Sequence, residues 1–311
     1  MKRYGLNDTS RYHRESLSTL GWELTVCNAL DDTGSPCRYA ITRKTTFGEL
    51  LYDYLSSVIP LDAVNGLIEI GGGYGYTMRD FMNRGDFSPA AMLDLSPALL
   101  ERQKQTLDGF TVEFYLRDFF ETDAAFFKKF DMVLLIEVAG DFPALCDVVP
   151  DDLAQPGEKP DPLLQKAKNI LSAYSIPMPD YRFNLNIGAI EAVEKLCAAG
   201  IKYIYISEHS CESAVPESLK NKITVSSTGN PERIRLMGHD EYTIKFSHLV
   251  QVAERYGYRV LRGRYSDFIQ FEYTDRLNYI LTSHSQKDEH EIIRHFIEDL
   301  FAYEYLVLIR G

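Results

Sequence analysis

Long hydrophobic runs are missing from this 311-residue chain. No stretch of about 18 apolar residues occurs, so no transmembrane helix is expected, nor a membrane partner. The opening Met1-Lys-Arg-Tyr-Gly-Leu lacks the apolar core of a secretory signal, which makes the cytoplasm the expected location. Cysteine is scarce: five residues, at 27, 37, 146, 197 and 211, odd in number and without a C-x-x-C pair. They read as reduced thiols rather than a disulfide framework. Basic clusters are lacking too. The formal net charge is −12, and Arg43-Lys44 and Lys128-Lys129 are isolated pairs. The global field opposes a phosphate track, and no nucleic-acid partner is expected. Nothing suggests a Walker loop, a metal cluster or an internal repeat, and no metal is expected.

What is present is the composition of a soluble globular protein, 45% hydrophobic and 25% charged. The length suits one large domain with additions or two small ones. One stretch organises the rest: Gly66-Leu-Ile-Glu-Ile-Gly-Gly-Gly-Tyr-Gly-Tyr-Thr-Met-Arg-Asp-Phe-Met82. Its first half is a short apolar run holding one acid, Glu69. Its centre carries Gly71, Gly72, Gly73 and Gly75, and from Thr77 it continues as a helix. A buried parallel strand, a tight glycine turn and a helix N-terminus facing a ligand have this form. Glycines serve there because the turn needs φ > 0 and a Cβ would hold the backbone away from the ligand.

The dinucleotide pattern G-x-G-x-x-G fits at Gly71 and Gly73, but its third position falls on Tyr76. The order acid-x-Gly-x-Gly-x-Gly, here Glu69-Ile-Gly71-Gly-Gly73-Tyr-Gly75, resembles motif I of the class I S-adenosylmethionine-dependent methyltransferases. The resemblance implies S-adenosyl-L-methionine as cofactor, with Glu69, Gly71, Gly72, Gly73 and Gly75 around it. A carboxylate suits a ligand that carries an ammonium and a sulfonium. It also implies an α/β fold: a Rossmann-like, doubly wound, seven-stranded and mostly parallel sheet whose last strand is antiparallel.

The remaining chain falls into line. Thr45-Thr46 precedes an apolar stripe at 47, 50, 51, 54, 55, 58 and 59, a helix with a threonine N-cap. By the resemblance, Lys44, Thr45 or Thr46 would touch the cofactor carboxylate. Residues 1–60 are expected to form an N-terminal helical region, with Tyr4, Tyr12 and Trp22 as a small layer, and residues 61–311 the methyltransferase domain. Strand one spans 67–70. Strand two is Ala90–Leu95, and Asp94, beside Leu95, is placed at its tip to accept from ribose hydroxyls. Ser96-Pro97 starts the next helix. Strand three ends near Leu116, and the resemblance gives Asp118 to the adenine amine and Phe119 to the adenine ring. Strand four, 131–137, brings Glu137 and Asp141 to the mouth of the site, because open α/β sheets bind ligands beyond their carboxyl ends.

Residues 143–183 hold seven prolines. They read as an insertion with one helix, about 162–174, that forms either a substrate cap or a homodimer contact. A helix at 186–199 and a strand at 201–207 follow, then Glu208-His209. Residues 214–241 are loop or weak strands, a helix follows at 243–256, and strand six is 258–262. A second insertion at about 263–300 has a helix near 288–301, and the last strand is 305–309.

Some motifs do not lead anywhere. His290-Glu291-Ile-Ile-Arg-His295 is one residue too long for H-E-x-x-H, and its imidazoles stand about 140° apart on a helix of 3.6 residues per turn. Pro36-Cys37 precedes motif I and is not the nucleophile of cytosine methyltransferases. The position after strand four reads Ile136-Glu-Val-Ala139, so the Asn/Asp-Pro-Pro-aromatic motif is absent.

For catalysis the chain must align a nucleophile with the donor methyl and exclude water, and a base is optional. His209 beside Glu208 is the first candidate base, followed by Glu137 and Asp141, then His239. The acceptor is expected to be oxygen or nitrogen of a small molecule. A fainter resemblance, to the family of the mitochondrial complex I arginine methyltransferases, rests on Phe47-Gly-Glu-Leu-Leu51, on Glu137 with Gly140-Asp-Phe-Pro143, and on 242–268. It leaves a protein acceptor open, as it does a non-catalytic assembly protein that keeps the fold.

Overall fold

The computed structural model describes residues 4–17, 20, 25–154, 161–283 and 285–311. A short strand, Gly5–Asn7, is followed by four helices: α1 (Ser10–Glu15), α2 (Val26–Asp31), α3 (Pro36–Ala40) and α4 (Phe47–Val58). In α4 the Thr46 side chain accepts from the Glu49 N–H, and the buried residues Phe47, Leu50, Leu51 and Leu55 follow the expected stripe.

Strand and helix then alternate. β1 (Leu67–Ile70) leads through the glycine turn to α5 (Tyr76–Met82), and β2 (Ala90–Asp94) leads to α6 (Pro97–Thr106). Ser96 caps α6, and Pro97 stands where a missing N–H costs nothing. β3 (Glu113–Leu116) and β4 (Met132–Ile136) follow. Next come α7 (Pro162–Ala173), α8 (Ile187–Ala199), β5 (Tyr203–His209), α9 (Phe246–Arg255) and β6 (Tyr258–Arg264). The chain closes with α10 (Asp275–Thr282), α11 (Asp288–Ala302) and β7 (Tyr303–Arg310).

The seven strands form one sheet in the order β6-β7-β5-β4-β1-β2-β3. β7 runs antiparallel to both neighbours, with Leu306 opposite Ile206 and Arg262, and the other pairs are parallel. Every residue of β1, β2 and β4 is buried, as a sheet covered on both faces requires. Alternation splits them between two cores. Leu67, Met92, Leu134 and Val307 face Leu51, Phe81, Phe296 and Ile297, whereas Ile68, Leu93, Leu135 and Leu306 face Ile190, Val193, Phe246 and Leu249. The strand order reverses at β1, whose neighbours are β2 on one side and β4 on the other. That reversal is where an open α/β sheet leaves a crevice for a ligand.

Three details differ from expectation. The 143–183 segment contains more than a helix: Ala144–Val148 is a strand, paired antiparallel with Gly5–Asn7 on one side and with the strand Phe183–Leu185 on the other. Pro143 and Pro150 frame it, and prolines are tolerated just outside a short strand although they read as breakers. The N-terminal region is therefore not purely helical, and it is tied to the insertion. Trp22 lies outside the described residues, and Tyr12 stacks on His239, with ring centroids 4.3 Å apart. Last, β7 begins two residues earlier than expected, because α11 runs into it directly.

The five cysteines are free. Among the described residues no helix is long and apolar enough to cross a membrane. His290 and His295 have separate partners: His290 Nδ1 lies 2.8 Å from Ser285 Oγ, and His295 Nδ1 lies 3.5 Å from Glu298.

Candidate active site

The glycine turn is built by three residues in the left-handed region, Gly71 (φ 64°), Gly73 (φ 52°) and Gly75 (φ 82°). Their surroundings differ. A Cβ on Gly71 would meet Val138 Cγ2 at 2.5 Å, and one on Gly72 would meet Met92 Cε at 2.5 Å and the Glu69 side chain. A Cβ on Gly73 would meet within 4 Å a single atom, Leu20 Cδ1 at 3.2 Å. Gly71 and Gly72 thus let the turn pack down on the sheet, whereas Gly73 lines the cavity with Leu20 as its one near neighbour among the described residues. Gly75 does not line the cavity; it starts α5 against Gln103 and Leu107.

Beyond the carboxyl ends of β1, β2 and β4 lies a cavity of about 380 Å³. Its floor includes Glu69, Gly71, Gly72, Gly73, Asp94, Leu95 and Glu137. Asp118, Phe119, Asp141 and Phe142 form a side, and His13, Leu17, Leu20, Thr25, Cys27 and Asn28 bring the N-terminal segment to it.

Of three acids on the floor, Glu69 and Asp94 are buried and Glu137 is half-buried. Burial pushes Glu69 up to about 8 and leaves its Oε2 without a hydrogen-bond partner. Burial likewise raises Glu137 to about 8, with the charge of Glu208 adding to the effect. Glu137 sits at φ 52°, an uncommon conformation for a side-chain-bearing residue, and such outliers cluster at functional sites. Its N–H donates to Ser207 O at 3.0 Å, Tyr265 donates to its Oε1 at 3.3 Å, and Oε2 is unpartnered. Asp94 is raised to about 6 by burial, against the N–H of Ser96 (2.8 Å) and the side-chain amide of Gln103 (2.7 Å). Gln103 is fully buried and was not singled out by sequence; its position on α6 carries no motif.

Asp118 is more engaged than its expected adenine role suggests. Its Oδ1 accepts from the Phe120 N–H at 2.7 Å, and its Oδ2 accepts from Arg14 at 2.7 Å. Phe119 lines the cavity and also belongs to an aromatic cluster, stacked on Phe142 with centroids 5.8 Å apart.

Asp141 accepts from His13 Nε2 at 2.8 Å, and His239 Nε2 stands 3.4 Å from the same oxygen. Burial would raise Asp141, but the two imidazoles prevail and bring it down to about 2. Burial would lower His239, but the carboxylates of Asp141 and Glu241 prevail and raise it to about 10.

Two expectations need correction. His209, the expected base, is not among the residues that line the cavity. Its Nε2 is 3.4 Å from Asp299 and its ring lies 3.8 Å from that of Tyr303, while Glu208 turns to the Gly140 N–H at 2.9 Å. Lys44, Thr45 and Thr46 do not line the cavity either. Thr46 is the cap of α4, and Lys44 lies over the Tyr39 ring.

No protein-family model and no curated protein sequence matches the chain. Among solved structures, an uncharacterised protein from Burkholderia thailandensis superposes with a TM-score of 0.56, over 99% of this chain and 88% of that one, at 14% identity. Another Burkholderia thailandensis protein of the same superfamily, crystallised with S-adenosylhomocysteine, gives 0.53 over the same shares at 12% identity. The chain shares with them the α/β fold of the S-adenosylmethionine-dependent methyltransferases.

Proposed function

We propose that this protein is an S-adenosylmethionine-dependent methyltransferase acting on oxygen or nitrogen of a small molecule. One observation carries the reading: the cavity at the strand reversal joins an open glycine turn to a buried, half-partnered carboxylate, Glu69. Those features fit a cationic nucleoside donor. When bound, the donor supplies a methyl group on a positively charged sulfur, ready for displacement by an acceptor atom.

The chain's own residues divide the work. Glu69 faces the ammonium. Both Asp94 oxygens already accept one hydrogen bond, and each keeps a lone pair for a ribose hydroxyl. Leu95 and Phe119 give apolar contact to the base, and Asp118 accepts from its amine while holding Arg14. Glu137 and Asp141 stand at the acceptor side. The acceptor is read as small because α1, Leu17 and Leu20 roof the cavity, where a protein side chain would need an open groove. The volume lies within the range of small-molecule sites, about 300–1,000 Å³.

Calorimetry tests the reading. The purified protein is expected to bind S-adenosylhomocysteine in the micromolar range, with Asp94→Ala or Gly73→Val weakening it by about tenfold or more, the equivalent of about 1.4 kcal/mol. Absence of binding by the wild type removes the proposal.

A further inference from the structure

Helix α1 has no buried residue, yet it roofs the cavity. It has no apolar face to hold it down, and its anchors are polar. Thr9 donates to the Asp141 carbonyl at 2.8 Å, Arg14 reaches Asp118, and His13 Nε2 meets Asp141 Oδ1 at 2.8 Å. From the opposite side His239 brings its Nε2 to 3.4 Å from the same oxygen. Three segments far apart in sequence thus point two imidazole nitrogens and one carboxylate oxygen at one spot, with all three atoms within 4.8 Å of one another.

We propose that His13, Asp141 and His239 bind one divalent transition cation at the wall of the cavity. Ligands about 2.1 Å from such an ion stand about 3.0–3.4 Å apart in octahedral or tetrahedral arrangements. The two separations from Asp141, 2.8 and 3.4 Å, lie close to that spacing. Two imidazoles and one carboxylate suit zinc, iron, cobalt or nickel rather than magnesium or calcium. The surroundings fix the ligands. Tyr12 stacks on the His239 ring, and the Thr9 bond holds the Asp141 loop. Glu241 Oε1, 3.2 Å from His239 Nε2, is a further oxygen at the site. His13 and Asp141 line the cavity and His239 does not, so the ion's remaining positions open toward the cavity. The ion clamps α1 to the sheet edge. If the methyltransferase reading holds, on which this last step rests, it also offers a place for an acceptor's hydroxyl or carboxylate oxygen.

The test uses the full chain, stripped with a chelator and titrated with Co²⁺ or Zn²⁺ alone, by calorimetry and by the visible absorption of bound Co²⁺. One ion per chain is expected, with affinity lowered about tenfold or more in His13→Gln, Asp141→Asn and His239→Gln. His13→Gln is the decisive variant, because a helix without buried residues tolerates it even if the other two melt early. No uptake by the wild type, or equal uptake by wild type and His13→Gln, overturns the site and leaves an ion-pair cluster. S-adenosylhomocysteine is titrated into the same metal-free protein. Binding of it without metal uptake sinks this inference alone. Metal uptake without it upholds the ion site and removes the donor reading.

Discussion

Gln103 binds Asp94 to the glycine turn: its side-chain nitrogen donates to Asp94 Oδ2 at 2.7 Å and to the Gly73 carbonyl at 3.0 Å. The acid at the tip of β2 and the bend after β1 are therefore one unit, held from α6. In the proposed donor site, the end assigned to the ribose is preorganised by a residue that itself does not line the cavity. Gln103→Leu keeps the volume and removes both bonds. It is expected to weaken S-adenosylhomocysteine by about tenfold, in line with about 1.5–3 kcal/mol for a hydrogen bond to a charged group. Calorimetry on a variant shown to be folded by circular dichroism checks this. Unchanged affinity would mean that Asp94 positions itself.

Glu69 makes stability depend on pH in a defined direction. Its carboxyl is held protonated up to about 8, against the ordinary 4.5. Below 4.5 it is neutral in folded and unfolded chains alike and contributes nothing. Between 4.5 and 8 the unfolded chain releases the proton and the folded chain keeps it, so stability falls as pH rises. Above 8 the loss is complete. Glu69→Gln removes this slope, so the variant should gain on the wild type in melting temperature from pH 5 to pH 8.5. A gap that stays constant would show that Glu69 ionises normally. A ligand ammonium beside Glu69 favours the ionised form, so wild-type affinity for S-adenosylhomocysteine, whose amino-acid end carries one, should also rise over that window and the variant's should not.

The sheet and the glycine turn were legible because their signals are local. Strands buried on both faces show unbroken apolar runs, as at Met132–Ile136, and Ser96-Pro97 announces a helix within two residues. The same local grammar put Glu69 and Asp94 at the strand tips, where they line the cavity. The roof was not legible. α1 buries nothing, so it carries no stripe, and its partners are remote: His13 meets Asp141 across 128 positions and Arg14 meets Asp118 across 104. Asp141 itself was read as a site residue from its strand end, but no spacing rule joins it to His13 and His239. His209 was misplaced for the converse reason. Its strand does end at the ligand edge, yet β7 runs alongside and Tyr303 takes the ring.

The roof makes a kinetic prediction. Arg14 is well exposed, and exposed ion pairs are worth about 0–1 kcal/mol, so Arg14→Ala should barely shift the melting temperature. It does release α1 from Asp118 over the cavity mouth. Dissociation of S-adenosylhomocysteine should therefore speed up severalfold, with a smaller change in association. Stopped-flow displacement measures both rates. An unchanged dissociation rate would show that α1 does not gate the cavity.

His209 supplies the last test, because its two roles predict opposite results. The structure gives it a packing role: a ring against Tyr303, Nε2 at 3.4 Å from Asp299, and an N–H donated to Glu208 Oε1 at 2.8 Å. His209→Ala removes the ring contact and one hydrogen bond to the partly exposed Asp299, a loss of roughly 1 kcal/mol for the bond. The melting temperature should drop while affinity for S-adenosylhomocysteine, measured well below the melting point, stays within about twofold, less than 0.5 kcal/mol. Once an acceptor is found, turnover per folded molecule and its pH profile should match the wild type. A variant that melts like the wild type but loses turnover, with the acidic limb of the profile gone, would restore His209 as the base and place the acceptor on the β5 side of the sheet.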